Sequence, residues 1–98
     1  MFRHGDVFLA PAKTLPRKAK LLPHCILAEG EKTGHKHRIQ EHGVAELYEH
    51  GDERFLRVTA ESATLVHPEH ADIPLTKGLY RVWFQREYTP RSIRRILD

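Results

Sequence analysis

Cysteine is nearly absent. Cys25 is the only one in 98 residues, so no internal disulfide can form and the cytoplasm is the expected compartment. Long apolar runs are missing too. None approaches the roughly 20 residues of a membrane helix, so no membrane partner is expected. The opening MFRHGDVFL lacks a long apolar core and a small-residue cleavage site, and it is not read as a signal peptide. No internal repeat, low-complexity linker or good amphipathic helix is found. The composition that remains is 40% apolar and 30% charged, which suits a globular protein and argues against disorder. One β-rich domain over 1–98 is expected, with a basic C-terminal tail at 89–98. A domain of this size buries only about 60–65% of its unfolded surface, so a homodimer would add needed stability. A net charge of +3 gives a mild pull toward anions. The eight histidines are the stronger anomaly, since imidazoles titrate near neutral pH.

Periodicity favours short strands. They are expected at 6–10, 21–29 (with Pro23 marking an edge or bulge), 35–41, 45–50, 53–59, 62–67 and 79–88. Residues 11–20, PAKTLPRKAK, form a basic, proline-punctuated connection. The Gly51-Asp52 pair suits a two-residue hairpin turn. Its register sets Ala45 against Val58, Glu46 against Arg57, Leu47 against Leu56, Tyr48 against Phe55 and Glu49 against Arg54. Apolar groups then meet, and opposite charges meet. A two-residue turn at His42-Gly43 would set Arg38 against Leu47; a longer loop, the preferred reading, sets Ile39 against Leu47. The fold class is therefore mainly β, a small antiparallel barrel or sandwich.

Side chains alternate along a strand, so parity assigns faces. His35 and His37 share a face with Ile39, while Lys36, Arg38 and Gln40 share the other. His67 continues an Ala63, Leu65 stripe. Arg86 and Tyr88 continue a Tyr80, Val82, Phe84 stripe. Trp83 lies on the opposite face, a candidate subunit interface. If the apolar stripes line one interior, their polar ends converge at its mouth.

The segment EGEKTGHKHRI therefore admits three readings. As an acid–base site, His35 or His37 acts as base or acid, and His67 and Tyr88 position or protonate a leaving oxygen. Lys36, Arg38 and Arg86 hold phosphate oxygens. Glu29, Glu31 and His70 complete the substrate-binding set. This chemistry needs no cofactor, because a 2′-hydroxyl serves RNA as an internal nucleophile. As a metal site, the HxHxxxE spacing of His35, His37 and Glu41, with His67 or His70, matches half of a cupin-like motif for one divalent transition metal. The proline-glycine turn of the second half is missing. As ordinary surface, EGEKTG is solvated turn chemistry, and for any single residue a structural role is commoner. Clustering is what raises the chemical readings. His4, His24, His42 and His50 read as terminal, loop or turn residues without a role.

The run LAEGEKTGHKHRI, the segments ELYEH and TLVHPEH, and the ending KGLYRVWFQREYTP together resemble a family of small bacterial proteins. Its members open on a GDV-type strand, as at Gly5-Asp6-Val7, carry an EGExTGHxHRI core and close on QREY. The resemblance spans nearly the whole chain. That family is similar to the small ring nucleases of type III CRISPR defence, which degrade cyclic oligoadenylate messengers and so switch off antiviral effectors. The resemblance implies a homodimer with the cyclic ligand across its two-fold axis and metal-independent cleavage. It also implies products ending in a 2′,3′-cyclic phosphate or a phosphate. It assigns no residues; the site above rests on parity alone.

Overall fold

The hairpin at Gly51-Asp52 forms in the expected register. β6 (Ala45–His50) pairs with the first half of β7 (Glu53–His67), Leu47 opposite Leu56 and Glu49 opposite Arg54. Gly51 takes a φ of 62°, the left-handed conformation that a turn of this kind demands. The computed structural model describes residues 1–30 and 34–84. Within them every regular element is a strand and all pairings are antiparallel. The expected strand end at 85–88, with Arg86 and Tyr88, the tail at 89–98, and Glu31 lie outside the described residues.

The remaining strands are β1 (Phe2–His4), β2 (Val7–Pro11), β3 (Lys20–Leu21), β4 (Ile26–Glu29), β5 (Lys36–Ile39) and β8 (His70–Phe84). Four of them differ from the sequence expectation. β1 is additional, folded onto β2 through the tight Gly5-Asp6 turn. The run at 21–29 divides at Pro23, so that β3 pairs with β6 and β4 with β5. β8 begins nine residues before Leu79, because Pro68-Glu69 is a two-residue turn that sets His67 opposite His70. The 53–59 and 62–67 segments are one strand, interrupted by a register shift between Val58 and Ser62.

Ile39 does not face Leu47. It pairs with Leu65, and β5 lies beside the second half of β7 while β6 lies beside the first. Since β8 runs along the other edge of β7, the two short strands share one edge of the long one. The chain bends through 40–44 to pass from one to the other.

The principal strand order is β1-β2-β8-β7-β5-β4. β1 and β5 are four ladder steps apart, about 19 Å in a flat sheet at 4.7–4.9 Å per step. Yet the His4 ring on β1 reaches the His37 ring on β5, with Nδ1 atoms 2.9 Å apart. The sheet is therefore curled into a half-barrel, and imidazoles bridge its two sides. Parity records the curl. On β7 the core takes Leu56 and Val58, then Ala63 and Leu65; on β8 it takes Leu75, then Tyr80 and Val82. Both strands switch phase at the shared irregularity, which lets a long hairpin bend while one face stays apolar. Val7, Leu9, Leu27, Ile39 and Leu47 complete the interior. Trp83 is half-buried within the chain, stacked on Phe8 at 5.6 Å with the Arg81 guanidinium 4.6 Å from its ring.

Candidate functional site: an imidazole cluster at the barrel seam

Four elements deliver five imidazoles to one end of the half-barrel. β1 contributes His4, its last residue, just before the Gly5 turn. β5 contributes His37, on the same inward face as Ile39. The β7–β8 turn is flanked by His67 and His70. His35 precedes β5. Ring centroids lie 4.9 Å apart for His4 and His37, 4.2 Å for His37 and His67, 4.6 Å for His67 and His70, and 5.6 Å for His35 and His67. His4 and His37 are the two buried polar side chains among the described residues.

The hydrogen bonds fix where the protons sit in neutral rings. His4 Nε2 is 3.0 Å from the Ala71 carbonyl oxygen, which can only accept, so that nitrogen carries the hydrogen. His4 Nδ1 is then bare and accepts from His37 Nδ1 at 2.9 Å. His37 in turn carries its hydrogen on Nδ1, and its Nε2 is the basic nitrogen. His67 is of the other kind. Its Nδ1 accepts the Glu69 backbone N–H at 2.9 Å, so its hydrogen is on Nε2. One ring thus offers a lone pair and its neighbour an N–H. His35 Nδ1 lies 3.5 Å from the Glu69 carboxylate.

Burial disfavours the charged form of three of the rings, His37, His4 and His67. Desolvation, joined by the nearby His67, His4 and His70, pushes His37 down to about 4, with Asp6 pulling the other way. His4 is lowered chiefly by burial, against the Ala71 hydrogen bond. His67 is lowered by desolvation and then by His70 and His35. Neutral imidazole is the form that takes a proton or binds a metal.

The seam beside His37 opens as a cleft of ≈ 420 Å³, lined by Asp6, Ile26, Glu29, Arg54 and Phe84 among others. Arg54 Nη1 donates to the carbonyls of Ile26 at 2.8 Å and Leu27 at 3.1 Å, tying β4 to β7 across the seam. A second hollow carries His35, Lys36, Arg38 and His67, so two cations stand beside two of the imidazoles. Lys36 pairs with Glu29 at 3.7 Å across the β4–β5 ladder.

Of the sequence-assigned residues, His35, His37, His67 and His70 come together, while Lys36 and Arg38, on the other face of β5 from His37, stand beside His35 and His67. Glu29 borders the cleft. Glu41 does not join the group. Its carboxylate accepts from the Thr64 backbone N–H at 2.8 Å and the Thr64 hydroxyl at 2.7 Å. The HxHxxxE spacing therefore misleads: bends begin at residue 40, just before Glu41, so the alternation that carries His35 and His37 no longer applies to it. His4 is the residue that reading overlooked. The available signal was its place one residue before GDV, where a tight turn returns the chain beside a core strand.

A search of curated proteins returns no match, and neither does a search of solved structures. A family model described as "Domain of unknown function (DUF8820)" matches residues 3–85, which span both ends of the imidazole cluster. The chain belongs to that family.

Proposed function

We propose that this chain is a metal-independent phosphodiesterase for a small RNA-type substrate, with cyclic oligoadenylate as the ligand that the motif resemblance implies. The observation that carries the reading is the row His37, His67, His35: a bare nitrogen, an N–H donor and an imidazole set against a carboxylate. In-line displacement at phosphorus needs a base on the side of attack, a donor at the phosphate and an acid on the side of departure. His37 Nε2 takes the 2′-hydroxyl proton as the 2′-oxygen bonds to phosphorus. His67 Nε2–H holds a phosphate oxygen, and Lys36 and Arg38, in the hollow that His67 shares with His35, add positive charge on the departing side. The bond from phosphorus to the 5′-oxygen breaks, and that oxygen takes a proton from the imidazolium form of His35. The products are a 2′,3′-cyclic phosphate and a 5′-hydroxyl. His37 has gained one proton and His35 has lost one, and exchange with water restores both. A two-fold dimer would suit a cyclic ligand, because each surface patch occurs twice.

The test is cleavage of labelled cyclic oligoadenylate in excess EDTA. Wild-type protein is expected to cut, and His37→Ala or His35→Ala to lose at least about 100-fold, the usual contribution of one acid–base group. Full turnover by both variants, with native circular dichroism, contradicts the assignment. Retention of the ligand without cleavage would make the chain a binding module.

A further inference from the structure

The geometry points to a transition-metal site in the same cluster, formed by His37, His67 and His70, whose occupation switches the acid–base site off. Each of the three offers a ring nitrogen, and these atoms all lie within 4.8 Å of one another. They come from β5 and from both sides of the β7–β8 turn, so the set is assembled by the fold and not by a local motif. Tetrahedral zinc, with Zn–N of about 2.0–2.1 Å, needs nitrogens ~3.3 Å apart. The rings must close by small side-chain rotations, which two ligands flanking a two-residue turn can supply.

Two further features support a metal over a chance gathering. His37 has an outer partner, as metal-binding histidines do: its Nδ1–H donates to the His4 ring, which the Ala71 carbonyl in turn holds, leaving Nε2 for the ion. Gly5 makes room for the third ligand. A Cβ at that position would lie 2.6 Å from His70 Nε2, so glycine lets the ring lie against the β1–β2 turn. Three imidazoles with an open fourth position suit Zn²⁺, Co²⁺, Ni²⁺ or Cu²⁺. Binding has one local cost. His67 Nδ1 must release the Glu69 N–H, either to ligate or to take over the hydrogen from Nε2.

The switching half rests on the proposed phosphodiesterase reading, because the ion would occupy the nitrogens of His37 and His67 that the reaction uses. The site itself does not rest on it. The probe is Co²⁺, titrated into chelator-stripped protein and followed by visible absorption of tetrahedral cobalt. One equivalent per chain is expected. His70→Gln and His67→Gln, both at a partly exposed turn where the fold tolerates change, should lose the band. Glu41→Gln and His35→Gln should keep it. His4→Phe should weaken affinity about 10–100-fold, the usual effect of removing an outer partner. No band at stoichiometric cobalt overturns the site, as does a band that survives both turn variants. In a parallel assay, stripped protein should cleave and added Zn²⁺ should stop it. Unchanged cleavage with zinc bound overturns the switch alone. Absence of cleavage without metal overturns the phosphodiesterase reading and leaves the cobalt result standing.

Discussion

At the scale of residues, the site depends on a few positions whose neighbours dictate their form. His37 is basic at Nε2 only because Ala71 and His4 commit its other nitrogen. Gly5 is a second such position. Its φ of 64° favours glycine, and His70 fills the space where a side chain would start. Gly5→Ala should cost about 1–2 kcal/mol of stability, the penalty for a left-handed L-residue. It should also displace His70 and weaken cobalt binding. Gly51→Ala is the control. It has a similar φ of 62° and nothing within 4 Å, so the same backbone cost should leave the imidazoles untouched. Urea denaturation and cobalt titration of the two variants check this; equal effects on both readouts would contradict the packing argument.

At the scale of elements, the β6–β7 hairpin was the most legible part of the sequence. Gly51-Asp52 set the turn, and Glu46–Arg57 and Glu49–Arg54 fixed the register locally. The face shared by His37 and Ile39 followed from alternation, and so did His67 after Leu65. The expected pairing of Ile39 with Leu47 failed, because which strand β5 joins is a long-range choice, and alternation failed at Glu41, where the chain bends. It failed too at β8, where Pro74 and Gly78 hid a strand. β4 is held by Arg54 as well as by β5. Arg54→Met removes the hydrogen bonds of one guanidinium nitrogen to two carbonyls, counted together as one charge-assisted contact of roughly 1.5–3 kcal/mol. The Glu49 contact at 3.6 Å is exposed and counts for little. We expect a loss of about 1.5–3 kcal/mol in urea, with amide exchange speeding first in Ile26–Glu29. A variant as stable as wild type would show that the tether carries no weight.

At the scale of the whole molecule, the curl of the sheet turns separate strands into one site. The partner of His4 was illegible for this reason, although the turn beside His4 was not. The His4 strand is three residues long, and the partner lies four ladder steps away until the half-barrel closes. Closure around neutral imidazoles has a consequence for pH. His37 is held at about 4 when folded, against an ordinary 6.5, by burial with His4, His67 and His70 facing it and Asp6 opposing. Between those values the unfolded chain binds the proton and the folded chain does not. Stability should therefore fall as pH drops from 6.5 toward 4 and be independent of this group above that window. His4 and His67 act in the same direction. In metal-free protein the urea midpoint should drop across the window, and His37→Gln should flatten the slope. An equal slope in the variant would contradict the assignment.

The most direct test is nitrogen-15 NMR of the histidine rings at pH 7.5 with chelator present. The account predicts His4 protonated on Nε2, His37 on Nδ1 and His67 on Nε2, with cross-relaxation between the His4 and His37 rings. Rings that average freely between tautomers, or His4 and His37 without mutual contact, would contradict it.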